Sequence, residues 1–332
     1  MTAATAREPA PATPAIAESA VAAALAPAAD PGAAADAAHA LRALGERAYA
    51  GDRDAYARYH GLLYDLHAPG DPATYAVRRF LASAVYPLEE RQVDPCEPLP
   101  RMTGAELVRR ACEEHERLSG LRHPLSRHLF GGAATLSDLK IYLVHQWHRS
   151  RSFYRELTEL ALTLPLERTP ILLRNLYEEA GAAPGALSHP ALFRELLAHL
   201  GLPHGEADRP ALPEAHAYLS NRIRCARQTP PAWGLAVLFA LEYGTPATHG
   251  ALLDLLLHLG VPDEHCAYHR IHITADARHA EELFTLMAEQ VDTPEAQAIF
   301  FRSLRHHRKL HRAYFDRIWD EVQAARTGRA DP

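Results

Sequence analysis

The sequence predicts an all-α protein, a helical bundle with an N-terminal helical extension. From about residue 40 onward, apolar residues recur with the helical period of about 3.6 in nearly every segment, for example in RDAYARYHGLLYDLHA. The breaks between segments, such as GLPHGEADRP, are short and rich in turn residues. No pair of alternating apolar runs indicates a β-hairpin. Helix packed on helix is therefore the predicted architecture.

The overall composition excludes several classes of protein. The 332 residues are 48% hydrophobic and 23% charged, as is usual for a globular chain. A net charge of −6 gives no reason to expect nucleic acid or an anionic membrane as a partner. No apolar run reaches the roughly 18 residues of a membrane helix. Four cysteines without CxxC spacing are typical of a reducing compartment, so we expect a cytoplasmic protein.

The chain divides into three predicted parts. Residues 1–40 are rich in Ala and Pro and are predicted to form a disordered tail. They are not predicted to be a signal peptide, because prolines interrupt the position of its apolar segment. Residues 41–100 form the helical extension, which ends in the Pro-rich break VDPCEPLPRM, and residues 101–325 form the main domain. We expect a homodimer, with the extension either mediating it or covering the site.

Caps mark several helix starts in the main domain. Thr103 and Glu106 fit a capping box, and Ser137 with Asp138 opens a long predicted helix that reaches residue 162. Thr293, followed by Pro294, opens the last helix. Between them the apolar period predicts helices over residues 169–180, 190–201, 212–228, 231–244, 249–260 and 263–290.

The stretch HITADARH places polar side chains where a helix would normally face a core. His272, Asp276 and His279 stand at i, i+4 and i+7, within about 60° of arc on one helix face. That face of a bundle helix usually carries Leu, Ile or Phe. Three nitrogen and oxygen donors there indicate either a solvated stripe or a metal site.

Carboxylates continue the apolar faces of two other predicted helices. Glu242 continues the core stripe of the very apolar segment PAWGLAVLFALEYG, and a lone buried carboxylate is costly unless it is paired or bound to metal. Glu179 likewise continues the apolar face of ILLRNLYEEA, whereas Glu178 is predicted to turn away from that face. Ten residues after Glu179, His189 stands at the start of the next helix.

Three carboxylates and three imidazoles from separate helices therefore form the candidate ligand set. These residues are Glu179, His189, Glu242, His272, Asp276 and His279. Mixed nitrogen and oxygen ligation without thiolate suits iron or manganese and also admits zinc. Six donors suffice for two ions about 3.5–4 Å apart. The Glu-x-x-His signature of ferritin-like proteins does not occur in the sequence.

The order and spacing of these residues resemble the haem-oxygenase-like diiron oxidases and oxygenases, often described as iron-containing redox enzymes. The resemblance spans about residues 105–325. It is carried by NLYEEAG followed by SH, then a Glu in an apolar helix, then H-x3-D-x2-HA about thirty residues later. It implies a haem-oxygenase-like fold and a labile cofactor of two iron ions that cycle between Fe2+ and Fe3+. It further implies O2 as co-substrate, an external electron donor, the six residues above as ligands, and Glu242 as the bridging carboxylate.

The resemblance implies oxidation of a small molecule and leaves two reaction types open. Some members oxygenate an amine in natural-product biosynthesis, and others fragment a C–C bond or desaturate their substrate. Several N-oxygenating members carry a further carboxylate ligand near the position that Phe153 occupies here, and Glu156 is the candidate for that role. Because the chain is longer than a minimal fragmenting enzyme, we favour N-oxygenation of an amine.

Further residues are predicted to surround the site. His265 and His269 lie near the helix face that carries the HITADARH donors, where they could replace a ligand or orient one. His145, His148 and Phe153 are candidates to line the substrate pocket.

Two alternative functions would require no metal ion. Relatives of this helical fold hydrolyse thiamin-like compounds through a cysteine, which here would be Cys225 or Cys266. Such a protein would have no use for six convergent metal ligands. A non-catalytic helical interaction protein is the other alternative, and it predicts that His272 and Glu242 are not buried beside each other.

Overall fold

The computed structural model describes residues 14–26, 32–68, 70–96, 99–182, 185–205 and 210–328. Across these ranges the chain forms sixteen α-helices, short 3₁₀ turns and no strand, which confirms the predicted all-α class. None of the described helices has both the length and the apolar character that crossing a membrane requires. The helices are α1 Pro14–Ala24, α2 Ala33–Tyr49, α3 Arg53–His67, α4 Tyr75–Ala84, α5 Tyr86–Glu90, α6 Gly104–Arg117, α7 Pro124–Phe130, α8 Leu136–Ser150, α9 Phe153–Ala161, α10 Thr169–Glu179, α11 His189–His199, α12 Pro213–Arg227, α13 Ala232–Glu242, α14 Thr245–His258, α15 Ala267–Gln290 and α16 Pro294–Thr327.

The first compact unit comprises Met1–Val93 together with Leu212–Ser220. Helices α1 to α4 pack on one another, and α5 packs on α2 and α4. Their shared core includes the fully buried side chains of Leu41, Leu44 and Tyr59. The amphipathic pattern that predicts a helical extension thus produces a unit with its own apolar core.

Helices α1 and α2 occupy much of the segment for which the sequence predicts a disordered tail. That prediction is wrong for residues 14–24 and 33–40, which are helical. Ala has the highest helix propensity of all residues, and its small side chain lets two helices approach closely. Ala17 and Val21 of α1 are accordingly buried in the core of this unit. Residues 1–13 and 27–31 lie outside the described residues.

The second unit comprises Asp94–Ala211 and Asn221–Pro332, with α13 at the centre of its core. Residues 232–240 of α13 are all buried, because this segment carries no charged side chain. Helix α13 packs against α15 and α16, and α15 is also contacted by α6, α10, α11 and α14. Since α15 is surrounded by helices, polar side chains on its inner faces are enclosed in protein.

Two of the predicted helix caps are confirmed and one helix start is corrected. Thr103 forms the capping box at α6, and the Thr293 hydroxyl caps α16. The single helix predicted over residues 137–162 is wrong, because the chain forms α8 and α9 with a break at residues 151–152. Helix α8 also begins two residues earlier, where Thr135 forms a capping box with Asp138. The apolar period continues across the break, so the pattern does not mark it.

Candidate metal centre

Helix α15 brings the donors of HITADARH onto one buried face. His272, Asp276 and His279 are all buried, which excludes the solvated stripe. The helical period alone places them on one face, and the surrounding helices enclose that face. Buried polar side chains must find partners, so the residues opposite this face decide what the donors do.

The first set of donors, here called the Glu179 group, consists of Glu179, His189 and His272. One ligand atom from each lies within 4.8 Å of the others. His189 Nδ1 donates a hydrogen bond to Glu179 Oε1 at 2.9 Å, and His272 Nε2 lies 3.9 Å from the same oxygen. The Ser188 hydroxyl caps α11 and Pro190 follows His189, which fixes His189 at the first helical position. Glu179 is the last residue of α10, so three helices meet here.

The second set, here called the Glu242 group, consists of Glu242, Asp276 and His279. Its ligand atoms also lie within 4.8 Å of one another. His279 Nδ1 lies 3.5 Å from Glu242 Oε2 and 3.5 Å from Asp276 Oδ1. Glu242 is the last residue of α13, and the Asn175 side chain donates to its other oxygen at 2.8 Å. The apolar helix α13 thus places the Glu242 carboxylate directly against α15.

The titration behaviour of the two groups shows how strongly burial acts on them. Burial, together with the charge of Glu242, raises the pKa of Asp276 well above its usual value, and Glu179 adds to this effect. Burial and the neighbouring His189 lower the pKa of His272 to about 3. Although burial opposes it, the nearby carboxylates of Asp276, Glu242 and Glu178 raise the pKa of His279 to about 11. Because Glu179 influences Asp276, the two groups lie within electrostatic reach of each other.

The donor set fits two metal ions. Within the described ranges, no Lys or Arg forms an ion pair with the carboxylate of Glu179, Glu242 or Asp276. Buried carboxylates side by side repel each other unless a proton or a cation intervenes. His279 Nδ1 is buried and makes no hydrogen bond to any described residue, so it is available as a ligand. Imidazole and carboxylate donors without thiolate suit iron, manganese or zinc.

Two known family models match this sequence. Residues 140–310, slightly more than half of the chain, match the family model described as iron-containing redox enzyme. The chain belongs to the iron-containing redox enzyme family. Residues 1–92 match a second model, described as haem-oxygenase-associated N-terminal helices. No curated protein matches the sequence.

Several solved structures share the fold of this member of the iron-containing redox enzyme family, although their sequence identity to it is low. A domain of unknown function with a haem oxygenase-like fold from Shewanella denitrificans OS217 has a TM-score of 0.57 and 18% identity, covering 70% of this chain and 98% of its own. A CADD-like protein of unknown function from Nostoc punctiforme PCC 73102 has a TM-score of 0.54 and 16% identity, covering 66% and 96%. A TenA homologue from P. horikoshii OT3 has a TM-score of 0.51 and 15% identity, covering 66% and 99%. These likenesses confirm the haem-oxygenase-like fold.

The structure brings all six predicted ligands together, and their binding of iron remains a prediction. Three further residues contact the ligands and were not predicted from the sequence: Glu178, Asn175 and His249. Glu178 does not turn away, because its carboxylate accepts a hydrogen bond from His279 Nε2 at 2.8 Å. The His249 ring lies 4.6 Å from the His272 ring, centre to centre. No spacing rule marks His249, since it comes from another helix, α14.

Two residues predicted near the site have other partners. Glu156 belongs to neither ligand group and accepts a hydrogen bond from Arg222 at 2.8 Å, so the expected extra ligand is neutralised by an arginine. His145 contacts the Tyr314 hydroxyl at 2.9 Å and Glu321 at 2.8 Å on α16. Both contacts join residues more than 60 positions apart, which a local sequence pattern does not reveal.

The remaining predicted neighbours differ in their distance from the ligands. The His269 ring is fully buried 4.8 Å from that of His249, and neither of its nitrogens has a hydrogen-bond partner among the described residues. His265 instead stacks on His199, 3.9 Å between ring centres. His148 is buried, and Phe153 packs against the apolar core. Of these, only His269 lies in the ring cluster next to a ligand, through His249.

A narrow pocket adjoins the Glu242 group, and its enclosed space holds about one water molecule. Glu242, His279 and Asn175 form its polar wall. The rest of its lining is mostly aliphatic, from Ile171, Leu172, Leu238, Leu283 and Leu286, with Glu282 among them. The predicted pocket residues His145, His148 and Phe153 are not part of this lining, and their contact with a substrate stays a prediction.

The two candidate cysteine nucleophiles are poorly placed for catalysis. Cys225 is 1% exposed and lies beside Ser303 and Arg224 in the helix packing. Cys266 is fully buried, and burial raises its pKa, which keeps the thiol protonated and unreactive. Neither cysteine belongs to a donor group with the buried histidines. The metal-free cysteine mechanism therefore has no support in the described part of the chain.

Proposed function

We propose that this chain is a non-haem diiron oxidase or oxygenase that uses O2 to oxidise a small molecule. The observation that supports the proposal most strongly is the presence of two buried three-ligand groups along one helix, α15. In the proposal the Glu179 group holds one iron and the Glu242 group holds the other. Two bound ferrous ions would supply electrons for the reduction of O2, and an external donor would replace those electrons.

The residues around the ligands prepare them for this task. Asn175 holds one oxygen of Glu242 at 2.8 Å and so fixes the orientation of that carboxylate. His272 Nδ1 donates to the backbone carbonyl of Tyr268 at 2.6 Å, which leaves Nε2, the nitrogen nearer Glu179, without a hydrogen and free to bind. Ligands that are held in this way lose less freedom when an ion binds.

The aliphatic pocket beside the Glu242 group is the proposed place for the substrate, and in this proposal the pocket widens when a small molecule binds. Its leucine and isoleucine walls exclude water and favour an apolar part of a small molecule. Asn175 offers an amide there, and its Oδ1 has no hydrogen-bond partner among the described residues. A substrate N–H could therefore be held by Asn175 while the apolar part packs against Leu238 and Leu283.

Two reaction types fit this pocket. N-oxygenation of an amine is our first candidate, since Asn175 can accept a hydrogen bond from the amine. C–C fragmentation or desaturation of an aliphatic substrate is the second, and the aliphatic lining favours it. The Arg222 partner of Glu156 also leaves the site with six ligands and no additional carboxylate from α9, within the described residues.

The test exposes anaerobically iron-loaded protein to O2, in the presence of a chemical reductant, with panels of aliphatic amines and aliphatic acids. N-oxygenation adds oxygen to the amine nitrogen, whereas fragmentation releases a shorter alkene, and mass spectrometry distinguishes these products. O2 uptake that exceeds the bound iron and depends on one substrate class supports the proposal. Loaded protein that reacts with O2 no faster than free Fe2+ in buffer, with every substrate, contradicts it.

A further inference from the structure

Glu178 stands next to the ligand Glu179 but contacts a ligand of the other group. Its Oε2 accepts a hydrogen bond from His279 Nε2 at 2.8 Å and forms an ion pair with the Arg278 guanidinium. The Glu178 side chain is 22% exposed, whereas that of His279 is 2% exposed. A partly exposed carboxylate, held by an arginine, therefore supports the outer edge of a buried imidazole.

The two nitrogens of His279 have different surroundings. Nε2 faces the Glu178 carboxylate, and Nδ1 lies 3.5 Å from oxygens of Glu242 and Asp276 without a hydrogen bond. In a neutral imidazole one nitrogen carries the hydrogen and the other carries the free lone pair. An ionised carboxylate can only accept, so when a metal ion displaces one proton from the ring, the remaining hydrogen belongs on Nε2 and the lone pair on Nδ1.

We propose that Glu178 is a positioning residue that makes His279 bind its metal ion through Nδ1. This inference rests on the proposed function, because it assigns a role to a residue outside the six ligands. A carboxylate behind a metal-binding imidazole fixes the ring, selects its tautomer and strengthens it as a ligand. Removal of such a partner typically weakens metal affinity by about 10- to 100-fold.

The position of Glu178 also links the two ligand groups. Glu178 and Glu179 are consecutive residues in the last turn of α10. Glu179 belongs to one group directly, and Glu178 acts on the other group through His279. One helix end therefore contacts ligands of both proposed ions, although sequence spacing alone predicts that Glu178 turns away from the helix face that carries Glu179.

The first test is a Zn2+ titration of the full-length apo protein against a chromophoric chelator. Wild type is compared with Glu178→Ala and Glu178→Gln, and with Glu289→Gln as a control, because Glu289 is a partly exposed, ion-paired glutamate on α15. We expect two sites in wild type. One should weaken about 10- to 100-fold in Glu178→Ala and less in Glu178→Gln, whose amide oxygen still accepts a hydrogen bond. The control should bind like wild type.

The outcomes separate the inference from the function on which it rests. Glu178→Ala that binds both zinc ions as tightly as wild type overturns the role of Glu178 and leaves the proposed function standing. Wild type that binds no zinc at either group contradicts both. If Glu178→Ala does not fold, the zinc affinity of Glu178→Gln is compared with that of wild type. Unchanged affinity in Glu178→Gln, together with a His279 ring bound through Nε2, overturns the inference.

The second test reads the tautomer directly. Long-range 1H–15N NMR spectra of zinc-loaded protein with labelled histidine distinguish a ring bound through Nδ1 from one bound through Nε2. The His279 signals are assigned as those missing from His279→Gln. We expect an Nδ1-bound ring with hydrogen on Nε2 in wild type, and loss of this single pattern in Glu178→Ala. An Nε2-bound ring in wild type overturns the inference.

Discussion

Each of the two helical units buries a glutamate, and the two carboxylates are satisfied in different ways. In the first unit, Glu89 is 6% exposed and its Oε1 accepts hydrogen bonds from the hydroxyls of Tyr49 at 2.6 Å and Tyr59 at 2.7 Å. In the second unit, Glu242 is 3% exposed and lies beside another buried carboxylate, that of Asp276. Neutral hydroxyls complete the first site, whereas the second gathers negative charge.

This difference separates a structural buried acid from a binding one. Two phenol donors stabilise Glu89 within the folded chain, so no further partner is required. Glu242 has one amide donor and an imidazole that it shares with Asp276. A buried pair of acids is stabilised by protons in the apo protein and by cations in the loaded one. The comparison predicts opposite results for matched substitutions at the two sites.

The largest predicted effect is that of Glu242→Ala on activity. Loss of a metal ligand should reduce O2-dependent substrate oxidation by more than about 100-fold, beyond what outer-shell changes cause. The apo variant should be at least as stable as wild type in urea, because one of two neighbouring buried acids is gone. Full activity in Glu242→Ala, or a large loss of stability in the apo variant, would show that Glu242 is a structural buried acid like Glu89 and not a metal ligand.

The next effect is that of Glu89→Ala on stability. The substitution removes the carboxylate that accepts hydrogen bonds from the hydroxyls of Tyr49 and Tyr59, and the free energy of unfolding should fall by about 3 kcal/mol. Urea unfolding followed by circular dichroism measures this change. Glu89→Gln keeps one acceptor and should cost less. Iron binding should not change in either variant, and a loss of bound iron in folded Glu89→Gln would break the comparison.

Metal binding should release protons and become tighter as pH rises. The pKa of His279 is raised to about 11, so His279 carries a proton at pH 7 in the apo protein, and the raised pKa of Asp276 favours its protonated form. A metal ion must displace those protons, and each one displaced raises affinity about tenfold per pH unit. Zinc calorimetry in buffers of different ionisation enthalpy counts them. Zinc binding that releases no protons between pH 6 and 8 would contradict the assigned protonation states.

The smallest predicted effect concerns acid stability of the first unit. Burial lowers the pKa of His60 to about 4, against about 6.5 in the unfolded chain. Between these values the unfolded state binds more protons, so stability falls as pH drops from 6.5 toward 4. The loss from His60 should be on the order of 1 kcal/mol at pH 5. His60→Phe should show a smaller difference in unfolding free energy between pH 7 and 5 than wild type, and an unchanged difference would refute this account.

Sequence spacing was sufficient for the ligands that one helix presents and for those that interrupt an apolar stripe. His272, Asp276 and His279 follow from the helical period, and Glu242 from the otherwise apolar α13. The residues that contact the ligands from other helices could not be predicted from the sequence, because contacts such as that of Asn175 with Glu242 join residues 67 positions apart. Pairing of this kind depends on tertiary packing, which local patterns do not encode.

The wrong predictions have the same physical origin. Helical spacing indicates that Glu178 turns away from the face of Glu179, yet both residues contact predicted ligands because α10 packs against α15. Composition indicated disorder near the N-terminus, where alanines instead pack α1 on α2. The predicted homodimer is a property of two chains and remains a prediction. Fold class followed from periodicity, whereas neighbours across helices required the structure.

The most direct measurement is the amount of iron bound per chain after anaerobic loading with Fe2+. Wild type is compared with His272→Ala, which removes a ligand of the Glu179 group, and with Glu242→Ala, which removes one of the Glu242 group. The proposed diiron centre predicts roughly two irons in wild type and roughly one in each single variant. The same iron content in all three proteins, or no specific iron in any of them, would contradict it.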